Sequence, residues 1–142
     1  MKINFTKKQY RLLLDLVYAG ELVVNGNRTH DVMEEYEETL NYIYSFAKEF
    51  GYEDLIEYEE EYDQYFETKE FEEGGITDLI DEYDEINMFD GMSYELALRD
   101  FRKEFEGKPE PSPEVFFAWI AEKQDKYSEE FADNGVDNII IK

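Results

Sequence analysis

EFGYEDLIEYEEEYDQYFETKEFEEGGITDLIDEYDEINMFD, residues 49–90, is the stretch on which the reading of this chain turns. With its shoulder to Glu95 it holds nineteen carboxylates against a single base, Lys69. Tyr, Phe, Leu and Ile interrupt the acids every two to four positions, whereas acidic segments that stay unfolded are poor in such residues. The block therefore reads as a folded acidic face. Read at helical period, it gives two helices. One runs from about Glu53 to Phe66, with Leu55, Tyr62 and Phe66 inward and Glu53, Glu57, Glu60, Gln64 and Glu67 outward. A loop, Thr68–Gly75, carries a glycine pair. The next helix begins after Thr77, with Ile76, Leu79, Ile80, Tyr83 and Ile86 inward and Asp78, Asp81, Glu82 and Glu85 outward.

Before the block, Thr6 and Gln9 have the spacing of a capping box, and Phe5 and Tyr10 that of a hydrophobic staple. The helix they open is apolar on nearly every side, from Leu12 to Tyr18, and such a helix is usually central. It is expected to end at Asn25-Gly26 and to form the axis of the core. Asp31 and Glu34 cap a second helix whose Val32, Tyr36, Leu40, Ile43, Ala47 and Phe50 share a face, with Gly51 as its stop.

After the block, Asp90 or Ser93 opens a helix with Tyr94, Leu98, Phe101 and Phe105 inward. Its outer face pairs Glu95 with Arg99 and Arg102 with Glu106, and Gly107 ends it. Ser112-Pro113 starts a last helix, with Phe116, Ile120, Tyr127 and Phe131 inward, which Asn134-Gly135 terminates. Lys2–Phe5 and Asn138–Ile141 read as two short strands that would pair. The expected fold is mainly α, about six helices around a central first helix, with a two-stranded clasp of the termini. At 142 residues, 42% of them apolar and 17% aromatic, a single domain (1–142) would bury roughly two thirds of its unfolded surface.

Several chemistries lack their signatures. Cysteine is absent and His30 is the only histidine, so thiolate sites and centres built on two or three histidines are excluded. Neither GxxxxGK[ST] nor GxGxxG occurs. No serine sits in a sharp strand-turn-helix elbow. Neither the Asn25–Asp31 loop nor the Asp78–Asp90 region meets the calcium-loop pattern; Tyr36 stands where the first of these would need Glu. No cofactor and no catalytic residue is expected, and the chain reads as a non-enzyme. The first ten residues, MKINFTKKQY, have no hydrophobic signal core, and no run of about 18 apolar residues occurs. A soluble, cytoplasmic protein is expected.

A net charge of −23 and a pI near 4.2 repel nucleic acid and anionic membranes and favour a basic partner. Like charges at i, i+4 cost about 0.2–0.5 kcal/mol per pair, and many such pairs must be set against a net stability of about 5–15 kcal/mol. A solvated helix ordinarily interleaves Lys with Glu, as the chain's own Glu95–Glu106 segment does. The acidic stripes omit that relief, which marks them as functional. Carboxylate rows on helices can stand in for the phosphates of a duplex. The expected partner-binding residues are Glu53, Glu57, Glu60, Glu61, Glu67, Asp78, Asp81, Glu82 and Glu85, with Tyr58, Tyr65 and Trp119 as aromatic anchors.

In composition and spacing, residues 31–95 resemble the small acidic helical DNA-mimic proteins that phages use against restriction and CRISPR nucleases. LALRDF (Leu96–Phe101) and YSEEFADNGVDNIII (Tyr127–Ile141) are similar to uncharacterised acidic proteins of low-GC Gram-positive bacteria and their phages. The first resemblance implies an inhibitor that fills the basic channel of a nuclease or other nucleic-acid-binding protein. An immunity protein or antitoxin that neutralises a toxic enzyme is the alternative.

Overall fold

Thr6 begins α1 (Lys7–Asn25) in the computed structural model, which describes residues 2–140. Its hydroxyl accepts from Gln9 N while Gln9 Oε1 accepts from Thr6 N, so the capping box forms as the sequence implies. At the other end Asn25 is buried, and its side chain bonds both the N–H and the carbonyl of Met33. That pair of bonds fixes the turn into α2 (Glu34–Tyr44).

The chain then departs from expectation. The second helix stops at Tyr44 rather than at Gly51, and turns over residues 45–51 follow it, closed by Gly51 at φ +70. In place of a helix from Glu53 to Phe66 there is a hairpin, β1 (Ile56–Glu59) antiparallel to β2 (Gln64–Glu67). The physical reason lies in the alternation. Ile56 and Tyr58 fall on one side of β1, and Tyr65 and Glu67 oppose them in register. Asp63 takes the left-handed conformation at φ 55 that a tight connection requires and that Asp tolerates. Ile56 and Tyr58 at period two, with Tyr65 opposite, prevail over the helix propensity of Glu.

The expected loop at Thr68–Gly75 contains one helical turn, α3 (Lys69–Glu72), capped by Thr68. It plants Phe71, fully buried, in the core of the first compact unit, which extends to Ile80. Tyr10, Leu14, Tyr44, Ala47 and Ile56 complete that core. Tyr10 stacks on Phe50 at 4.1 Å, and Tyr18 meets Phe71 edge-on at 5.3 Å. Helix α1 is not enclosed. It buries Tyr10 and Leu14 but leaves Leu12, Leu16 and Val23 exposed, because α2, β2 and α3 cover one flank only. Val32 and Tyr36, assigned inward on α2, are exposed as well, and the buried residue there is Tyr44.

The two helices expected between Thr77 and Gly107 are one, α4 (Ile76–Glu104), which runs straight through Gly91. The second compact unit starts at Asp81. In it α4 buries Ser93 and Ala97, and α5 (Pro113–Asn134) buries Ile120 and Phe131. Phe101, Phe105, Phe116 and Trp119 form an aromatic cluster between the two helices, with ring centroids 4.4–6.3 Å apart. Arg99 does not pair with Glu95. Its guanidinium bonds Asp100 and the Tyr127 hydroxyl, and Tyr127 in turn donates to Asp100. Proline at the start of α5 and Gly135, φ 55, at its end stand where the sequence puts them.

Neither Lys2–Phe5 nor residues 138–140 form a strand, so the clasp is not formed among the described residues; Ile141 lies outside them. Among the described residues the chain is thus mainly helical with one small antiparallel sheet, and that sheet sits in the middle of the sequence.

Candidate functional site

The acids expected to bind a partner are distributed over two elements, the hairpin and the first part of α4. Glu53 and Glu57 are exposed before and within β1, and Glu60 and Glu61 occupy the hairpin's connecting turn. Along a strand, alternate side chains stand about 6.6 Å apart, so Glu57 and Glu59 share a face at roughly that spacing. Tyr58 and Tyr65 face each other across the ladder, ring centroids 5.0 Å apart. The Tyr58 hydroxyl donates to Asp63, and that bond holds its pKa above the ordinary tyrosine value.

Asn41 on α2 accepts from Tyr65 N at 2.7 Å, and Gln64 Nε2 donates to Glu37 at 3.0 Å. These bonds lay the hairpin against α2. The result is an open cleft of about 500 Å³ lined by Glu34, Glu37, Glu38 and Asp63 together with Tyr42 and Tyr65. The four acids were missed as site residues. Glu34, Glu37 and Glu38 recur at i, i+3, i+4, the spacing of one helix face, and that was the available signal. Their meeting with Asp63 depends on a hairpin that the helical reading of the block concealed.

Glu67 does not belong with the outward acids. It is half-buried at the end of β2 and accepts a hydrogen bond at 2.6 Å from the buried Tyr44 hydroxyl. On α4, Asp78, Asp81, Glu82 and Glu85 are exposed as expected, but so are Leu79, Tyr83 and Ile86, which the helical reading turned inward. Trp119 is half-buried in the aromatic cluster of the second unit, with the Lys123 ammonium 5.4 Å from its ring centroid. Its packing role accounts for its position.

Five ion pairs occur among the described residues, and their acids are Asp15, Asp31, Glu73, Asp100 and Glu122. None of the exposed acids of the hairpin, of α2 or of the first half of α4 is among them. Among the described residues no group of three or more His, Cys, Asp or Glu side chains is placed to hold a metal ion, and no helix is long and apolar enough to cross a membrane. Comparison with protein-family models, with curated proteins and with solved structures finds no match to this chain.

Proposed function

We propose that this protein is a non-enzymatic polyanionic ligand that occupies the basic nucleic-acid-binding surface of another protein, in the manner of anti-restriction and anti-CRISPR inhibitors. The observation that carries the reading is the condition of its acids. Glu53, Glu57, Glu60, Glu61, Asp78, Asp81, Glu82 and Glu85 are exposed and lack ion-pair partners among the described residues. Uncompensated charge on ordered elements weakens the free protein through self-repulsion. A basic partner relieves that repulsion and displaces the cations gathered around the carboxylates, as it displaces those around a phosphate backbone.

In the first unit the acids of α2 and the hairpin stand on two elements pinned together by Asn41 and Gln64, so the charge pattern is fixed before binding. Preorganisation of this kind lowers the ordering cost of association.

The test is inhibition of a panel of restriction and RNA-guided nucleases cutting a labelled duplex. Inhibition is expected to fall as DNA concentration rises and as salt rises. Replacing Glu57, Glu60 and Glu61 by Gln should weaken it in graded steps. Inhibition that ignores DNA, salt and these replacements, or no inhibition across the panel, would refute the reading. Loss concentrated in Tyr58→Ala or Tyr65→Ala would transfer the protein to the immunity type, whose energy sits in a few anchors.

A further inference from the structure

Helices α1 and α2 hold between them an open groove of about 850 Å³, away from the hairpin. Leu16, Ala19, Gly20 and Val23 line it from α1, with Met33 at the N-cap of α2 and Tyr36 on that helix opposite. Leu16 is 69% exposed and Val23 81%. Leu16 is among the residues that made α1 read as a central helix, and no described residue of the first unit covers it or Val23.

Gly20 supplies a second, independent observation. It lies inside α1, where glycine costs about 1 kcal/mol relative to alanine. A Cβ added there would meet nothing within 4 Å, so no contact among the described residues requires its absence. A position without a side chain in an open apolar groove allows the backbone of another molecule to approach closely.

The chemistry of the walls restricts what can lie there. Both are helices with their backbone groups already bonded, so the groove offers no edge to which a strand could add. A segment lying along it must satisfy its own backbone, which a helix does. One carboxylate lines each side, Glu21 on α1 and Glu35 on α2, and no Lys or Arg among the described residues lines the groove. A second copy of a chain carrying −23 would be repelled. From Leu16 to Val24 the α1 wall is about 13 Å long at 1.5 Å per residue, matching two to three turns of a partner helix.

We propose that this groove docks an amphipathic helix of a partner protein. The apolar stripe of that helix packs on Leu16, Val23 and Tyr36, its backbone approaches over Gly20, and Lys or Arg beside the stripe meet Glu21 and Glu35. The surface is separate from the acids of the hairpin, so the proposal stands or falls independently of the polyanion reading.

The probe is a labelled Leu/Lys peptide of about four helical turns, with leucines on one face and lysines flanking them. A control peptide has the same composition with the leucines scattered around the helix. Fluorescence anisotropy at about 0.15 M salt should show the ordered peptide binding at least about tenfold more tightly than the control. The double variant Leu16→Gln, Val23→Gln should abolish that preference, and both positions are exposed enough to leave the fold intact. Replacing Glu57, Glu60 and Glu61 by Gln should weaken both peptides alike and keep the preference. Gly20→Ala should melt no lower than the parent yet bind the ordered peptide less tightly, which separates docking from folding. Equal binding of the two peptides, or a preference that survives the double variant, would overturn the proposal. So would an ordered peptide with Glu in place of Lys that binds as well. Sedimentation showing a dimer that Val23→Gln dissociates would also overturn it, by assigning the groove to a second copy.

Discussion

The hydroxyl of Tyr44, on the last residue of α2, donates to Glu67 Oε1 at 2.6 Å on the last residue of β2. Tyr44 is fully buried and Glu67 half-buried, so this bond ties helix to hairpin inside the core of the first unit. Tyr44→Phe removes the donor and should cost about 1–3 kcal/mol in denaturant unfolding. Glu67→Gln keeps an acceptor and should cost less. Glu57→Gln, on the exposed strand position, should stay within about 0.5 kcal/mol of the parent. A Tyr44→Phe protein as stable as the parent would show that the bond contributes nothing.

Alkaline pH provides a second measure of the same core. Burial pushes Tyr10 up to about 12, with the charge of Glu49 adding to it. Burial likewise raises Tyr44, and its bond to Glu67 raises it further. An unfolded tyrosine ionises near 10, so both side chains hold their protons more tightly in the native state. The stability they contribute is complete below pH of about 10 and is lost as pH climbs toward the folded values. The unfolding free energy should fall between about pH 10 and 12, by up to about 1.4 kcal/mol per pH unit for each such tyrosine. Tyr44→Phe should flatten that slope, and chemical unfolding followed at stepped pH reads it.

Local stop and start signals were legible because single residues decide them. The Thr6–Gln9 box, the positive φ of Gly107 and Gly135, and Pro113 at the start of α5 occur where their chemistry places them, whereas α2 stops at Tyr44, well before the Gly51 read as its end. The segment from Glu53 to Phe66 was not legible in the same way. Leu55, Tyr62 and Phe66 fit a helical face, while Ile56, Tyr58, Tyr65 and Glu67 fit a strand, and the pairing of β1 with β2, held to α2 by Asn41 and Tyr44, decides between them. Phe71 was hidden in a supposed loop because a four-residue helix has no periodicity to read. For the site, composition showed that the middle of the chain is acidic and that most of its carboxylates face solvent. It could not show that Glu34, Glu37 and Glu38 would meet Asp63, since that requires the hairpin.

The uncovered flank of α1 can be tested by two substitutions. Leu14 is fully buried and Leu16 largely exposed, although both lie on one helix and are two residues apart. Leu14→Ala should destabilise the first unit by about 2–5 kcal/mol. Leu16→Gln should stay within about 0.5 kcal/mol of the parent. Comparable losses from the two would mean that α1 is enclosed.

Gly74 is constrained where Gly20 is free. A Cβ on Gly74 would stand 2.8 Å from the Phe71 carbonyl oxygen and 2.9 Å from Arg11 Nη2. The Arg11 guanidinium lies over the Phe71 ring, 5.1 Å from its centroid, and bonds Asp15, so it cannot withdraw without giving up two interactions. Gly74→Ala should therefore cost about 1–3 kcal/mol by overpacking. Thermal melting of the variant beside Gly20→Ala gives the comparison, and a Gly74→Ala protein as stable as the parent would show that α3 yields easily.

Charge crowding should be visible without any partner. The acids of α2, of the hairpin turn and of the first half of α4 have no cation beside them among the described residues. Salt shortens the Debye length from about 30 Å at 0.01 M toward about 3 Å at 1 M. Repulsion between exposed carboxylates is then screened, whereas the exposed pairs Arg28–Asp31, Lys69–Glu73 and Lys126–Glu122 contribute at most about 1 kcal/mol each and the partly covered Arg11–Asp15 and Arg99–Asp100 pairs are screened less. The melting temperature should therefore rise from low salt to about 0.5 M NaCl. The Glu57→Gln, Glu60→Gln, Glu61→Gln variant should begin higher and rise less, since part of the repulsion has already been removed. A second triple variant, Asp81→Asn, Glu82→Gln, Glu85→Gln, tests α4 separately. If the parent's melting temperature stays flat or falls over that range, the acids are not crowded, and self-repulsion no longer supports a polyanionic face awaiting a basic partner.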